Sequence, residues 1–184
     1  MCFKRNKMKA KTDTILAVSK VLALLAAIGY SITWGSQLLT LVSSFINPEW
    51  AQRTYQVDLN LFSIREHSVW YYVYAMSMTI AVSVLKSIIW YVVYDLLSKI
   101  TLQSPFSIKV ERKLETIAYL LFFVWIIGSV FWKIYLHYLT QDTGVVLTAN
   151  TSEDEYLFMA GMIYIVSQIF KRGIEIQEES ELTV

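Results

Sequence analysis

From Val21 to Pro48 the chain runs 28 residues without a charged side chain. About 20 apolar residues carry a helix across the ~30 Å hydrocarbon core of a bilayer, so this stretch alone commits the chain to lipid. Three further apolar segments follow, and the expected spans lie at about 15–46, 69–97, 115–139 and 156–172. The composition agrees, with 17% charged residues where soluble domains carry ~25%, and a mean hydropathy of +0.45. Two prolines and six glycines leave little material for a separate soluble domain. The expected architecture is an all-α membrane protein, one integral membrane domain over residues 1–184, with four transmembrane helices arranged as two hairpins.

The hairpins are divided by Asp95–Glu115, a polar stretch holding Lys99, Lys109, Arg112, Lys113 and Pro105, whose loop is expected at 98–114. A basic head, Lys4, Arg5, Lys7, Lys9 and Lys11, precedes the first span. Such a head can open a signal peptide, but the uncharged run behind it far exceeds the ~7–15 residue core of one, so a retained span is expected. Counting Lys20 with the head, the head, middle loop and tail hold six, four and two Lys or Arg residues, and the other two loops hold only Arg53 and Arg65. Positive charge stays on the cytoplasmic side, which puts both termini and the middle loop in the cytoplasm.

Small residues recur every fourth position at Ser19, Ala23, Ala27, Ser31 and Gly35 in the first span, and at Ala75, Thr79, Ser83 and Ser87 in the second. Lipid gives helices no hydrophobic reward for pairing, so they associate where small residues let backbones approach. The two stripes are expected to face each other or the bundle centre. Trp70, Tyr71, Tyr72 and Tyr74 at one end of the second span, and Trp90, Tyr91 and Tyr94 at the other, suit the headgroup levels. In the outer loops, the alternation Val57, Leu59, Leu61 and the run Val145, Val146, Leu147 suggest short extracytoplasmic strands.

Ionisable groups inside a membrane are costly, which makes each a functional candidate. Lys86 would meet an anionic ligand or a carboxylate such as Glu115, unless its stem snorkels to the headgroups, the reading its position away from the midplane favours. Lys133, nearer the outer end of its span, reads as an interfacial anchor. His67 and His137, with Glu66 and Asp142, lack ligand-pair spacing and read as separate interfacial residues rather than a metal or pH-sensing site. Cys2 is a lone cysteine without a lipobox. No nucleophile elbow, phosphate-cradling glycine loop or paired-carboxylate helix motif is present, and no cofactor or metal is expected. Neither an enzyme nor a secondary transporter is the expected class; a small oligomeric channel or exporter with Lys86 near its path remains the alternative.

The two ends destined for the cytoplasm carry opposite charge. The basic head suits anionic lipid, whereas Gly173–Val184, with Glu175, Glu178, Glu179 and Glu181, would be repelled by it and must find water or a basic protein. Two segments also resemble a known family. Pro105-Phe106-Ser107 matches its PFS motif, and Phe170-Lys171-Arg172-Gly173, with Ile176-Gln177-Glu178-Glu179 and Leu182-Thr183-Val184, is similar to a tail reading F-x-x-G-x-x-L-Q-x-E-x-D-L-T-V/I. The family is the bacterial domain of unknown function 2975, and its four-span layout covers most of the chain. Departures are Ile176 in place of Leu, and Ser180-Glu181 where Asn-Asp is common. The resemblance implies an inner-membrane protein without an established activity, whose relatives are often encoded beside a small helix-turn-helix regulator. It therefore suggests a cytoplasmic regulator as partner, docked through Pro105, Phe106, Ser107, Gly173, Gln177, Glu178, Glu179, Glu181, Leu182, Thr183 and Val184. The lipid bilayer and a second copy of the chain are the other expected partners; direct contact with nucleic acid is not expected.

Overall fold

A computed structural model of the chain describes residues 2–54, 61–99, 107–144 and 153–182. Seven α-helices and one π-helical turn account for nearly all of them. The helices are α1 (Cys2–Ile46), α2 (Pro48–Thr54), α3 (Leu61–His67), α4 (Val69–Lys99), α5 (Ile108–Trp125), α6 (Trp132–Thr143) and α7 (Glu155–Leu182), with the π-turn Ile126–Phe131 joining α5 to α6. Four helical segments, Asp13–Ile46, Val69–Lys99, Ile108–Thr143 and Glu155–Ser180, are long and apolar enough to cross a membrane. Their outer faces carry large apolar side chains, among them Ile32, Ile46, Phe158 and Ile165. Such a surface is stable against lipid and would be costly against water.

The helices outrun the apolar stretches that reveal them. Lys, Arg, Glu and Gln are good helix formers, so a span continues helically into its polar flanks. Lys109, Arg112 and Lys113, expected in a loop, therefore belong to α5, and the acidic segment after Gly173 continues α7 to Leu182. Local signals set several ends. The Asn47 side chain accepts from Trp50 N–H at 3.2 Å as α1 gives way to α2, whose first residue is Pro48, a position where the missing N–H costs nothing. Ser107 is extended and its hydroxyl accepts from Val110 N–H, capping α5. Gly144 ends α6 in the left-handed conformation at φ 68°.

Among the described residues no strand occurs. Leu61 does not close a strand but opens α3, because Leu61 and Ile64, three apart on one helix face, both bury completely. Val57, Leu59 and Val145–Leu147 lie outside the described residues.

Packing runs from α1 to α4, from α4 to α5, and from α5 to α7. Two apolar clusters form at different heights. One, at the end capped by α2 and α3, gathers Leu61, Ile64, Tyr72, Met76, Trp132, Tyr135 and Leu139 from α3, α4 and α6. The other gathers Ile89, Leu96, Val110, Ile117, Leu121, Val124 and Ala160 from α4, α5 and α7. At the far end of this second cluster Asp95 pairs with Lys99 at 2.9 Å and with Lys113 across on α5, tying the two helices where the chain turns.

Candidate functional site

Between the two clusters lies a polar layer built from all four long helical segments. Its centre is Lys86, whose Nζ donates to Glu153 Oε1 at 2.8 Å. Lys86 lies 17 residues from the start of α4 and 13 from its end, about 26 Å and 20 Å along the axis at 1.5 Å per residue. The pair is mostly enclosed, with 16% and 20% of the two side chains exposed. The ring centroids of Tyr156 and Tyr30 lie 5.0 and 6.0 Å from the ammonium, adding aromatic faces from α7 and α1.

Glu153 reaches this depth because α7 is the short partner. Its uncharged stretch, Tyr156–Phe170, is only 15 residues, about 22 Å, so the acids before it fall level with the interior of its longer neighbours. The opposing surface is cut to receive them. At Gly128, inside the π-turn, an added Cβ would sit 2.5 Å from Cγ of Glu153 and 3.5 Å from a methyl of Val82. No side chain fits there while Glu153 stays in place. A π-turn inserts an extra residue into the helix, and such turns frequently mark functional sites. One residue on, Asp154 pairs with Lys133 at 2.8 Å. Acids at the start of α7 also face the positive end of its dipole.

On the other side of Lys86 the hydroxyls of Ser31 and Ser87 meet at 2.8 Å, and Ser87 donates onward to the Ala27 carbonyl at 3.2 Å. Of the first small-residue stripe, Ala23 and Ala27 are buried while Ser19, Ser31 and Gly35 are half-buried. Of the second, Ala75 and Ser83 are buried while Thr79 and Ser87 are half-buried.

Several of the residues singled out in the sequence have other places. Lys86 meets Glu153 instead of Glu115, whose carboxylate accepts from Tyr119 on the next turn of α5. Its side chain turns into the bundle rather than towards headgroups, because a carboxylate at its own height satisfies it. His137 bonds Gln141 at 3.2 Å, and among the described residues no three His, Cys, Asp or Glu side chains gather for a metal. Ser107 serves α5 as its cap; Pro105 and Phe106 lie outside the described residues. Gly173 is half-buried, Gln177, Glu178 and Glu179 are exposed on α7, and Arg172 pairs with Glu175 at 2.7 Å. The backbone of Glu181 and Leu182 continues the helix, their side chains and Thr183 and Val184 lying outside the description.

Glu153 and Asp154 fall between the spans expected at 115–139 and 156–172, where hydropathy gives a carboxylate no role. Two signals pointed to them: the shortness of the fourth apolar stretch, and Gly128-Ser129 placed mid-span in the third.

Residues 16–184 match the family model described as "Protein of unknown function (DUF2975)", and the chain belongs to that family. No curated protein and no solved structure matches it.

Proposed function

We propose that this DUF2975 protein is a non-enzymatic regulatory module of the bacterial inner membrane, with both termini in the cytoplasm, that holds or releases a cytoplasmic partner through the acidic end of α7. One observation carries the reading. α7 is a single 28-residue helix whose first turn sets Tyr156 beside Lys86, directly after Glu153 of the ion pair, and whose last turns bear Glu175, Glu178 and Glu179. A shift at the polar layer is thereby delivered to the acidic end by one rigid element. The clustering of Lys and Arg in the head, the middle segment and the start of the tail supports the orientation. The acidic end suits a partner with basic surface, and a helix-turn-helix DNA-binding regulator, which the family resemblance implies, has one. An anion path past Lys86 would need its charge unmatched; with Glu153 at 2.8 Å regulation is the better reading.

The test is a mild-detergent pull-down of tagged full-length protein from its own cells, against a form lacking Gly173–Val184 and a form with Glu178, Glu179 and Glu181 changed to Lys. Recovery of a DNA-binding regulator with the wild-type tail alone is the expected result. Equal recovery by all three forms, or none by any, overturns the docking model.

A further inference from the structure

We propose that the aromatic concavity between α4 and α6 binds a free organic cation of the quaternary ammonium class. The inference rests on side chains separate from α7 and does not depend on its role. Trp70, Tyr71 and Tyr74 of α4 face Tyr135 and Tyr138 of α6 and Phe131 of the π-turn around a space of about 550 Å³. That volume falls within the range of small-molecule sites.

The lining rings come from both helices rather than from one, gathered around Tyr135. Tyr135 is buried and central, with the Tyr74 ring centroid 5.5 Å and the Tyr71 centroid 6.4 Å away. Around it, Trp70, Tyr74 and Tyr138 are each more than half exposed. Anchoring in headgroups asks only that rings line an interface. Here rings from two helices converge on one hollow.

The polar ends of the deeper rings are already engaged. The Tyr135 hydroxyl donates to the Tyr71 carbonyl at 3.0 Å, and the Tyr71 hydroxyl donates to Asp142 at 2.8 Å. Tyr135 is enclosed by its ring neighbours, so the surface offered to a ligand is that of the exposed rings Trp70, Tyr74 and Tyr138, whose π-faces are electron-rich and attract cations. Charge points the same way. Asp142, exposed and bonded to the Tyr71 hydroxyl, adds a carboxylate, and among the described residues no Lys or Arg lines the hollow. Among the described bases, Lys133 is paired with Asp154 and Arg65 donates to the Ser44 carbonyl at 2.7 Å. A cation wrapped in methyl groups satisfies aromatic faces and a distant carboxylate together, whereas a strongly hydrated ammonium or an anion does not.

The test uses full-length protein in dodecyl maltoside, an uncharged detergent without amines. It is titrated with benzyltrimethylammonium and with neopentylbenzene, the same shape with carbon in place of the cationic nitrogen, following heat and tryptophan fluorescence. Saturable binding of the cation is expected, with the neutral isostere at least about tenfold weaker. Y74L combined with Y138L should weaken the cation by at least about tenfold, while Y138F, which keeps the ring, should leave it unchanged. Both tyrosines are more than half exposed, so these changes leave the core intact. Equal binding of the neutral isostere would make the hollow a lipid-facing apolar surface; that result, no saturable cation binding, or indifference to Y74L/Y138L would each overturn the proposal.

Discussion

The two halves of this bundle solve the same packing problem with different chemistry. The half beyond Val110 is aliphatic: Ile89, Leu96, Ile117, Leu121 and Val124 interdigitate with Ala160 of α7. The half under α2 and α3 is aromatic and polar-tipped. Tyr72, Trp132 and Tyr135 fill it, Tyr135 and Tyr71 use their hydroxyls across helices, and Arg65 of α3 clasps the end of α1. The reason is the helix count. α7 begins near the Lys86 level, so among the described residues the upper half is packed without it, by the rings of α4 and α6 and by α2 and α3 set against α1 and α4. The ion pair sits at the step between them. It is where the bundle changes from one composition to the other, and where a change in α7 would be felt first.

The largest break in this comparison should come from charging the step. Breaking an enclosed pair by removing one partner costs about 3–5 kcal/mol, and the lower end applies here because both side chains keep some exposure. Glu153→Gln and Lys86→Met should therefore each lower the thermal unfolding midpoint in detergent clearly, and the double variant should recover much of the loss. A double variant as unstable as the singles would show that the pair does not act as a unit.

Filling the notch comes next. Gly128→Val places atoms where Glu153 stands, and overpacking of this kind costs about 1–3 kcal/mol. Hydrogen exchange should rise at the start of α7 while Tyr72, Met76 and Leu139 stay protected. Uniform loosening of both halves would mean that the step is not a boundary.

At the aliphatic end, Ser107→Ala removes the cap of α5 and should cost about 1 kcal/mol, with exchange increasing only in the first turn of α5. The smallest effect is expected at Ser31→Ala, since hydrogen bonds between membrane helices average about 0.6 kcal/mol. Ser87 retains its bond to the Ala27 carbonyl in that variant, so its unfolding midpoint should lie close to wild type. A loss matching Glu153→Gln would transfer the centre of the layer from the ion pair to the serines.

Much of the architecture was legible because hydropathy is a local property. Val21–Pro48, Thr116–Trp132 and Tyr156–Phe170 announce themselves by their own composition, and lipid allows a lone segment of that kind little besides a helix. The family tail was legible for the same reason, since motifs are contiguous. Element ends were less so. Lys109 to Lys113 look like loop by polarity but are helix by propensity, and Leu61 alternates with its neighbours in one reading and pairs with Ile64 at helical spacing in the other.

The sequence by itself determined that four helical segments are apolar enough to cross a membrane, that charge gathers at particular ends, and that Lys86 is an uncomfortable residue in need of a partner. Only the tertiary structure decided which partner. Lys86 and Glu153 are 67 residues apart, and their meeting depends on how far α7 reaches along its neighbours and on a π-turn that places Gly128 opposite. Those are relations between helices, fixed by the simultaneous fit of several surfaces, and no single stretch of chain contains them.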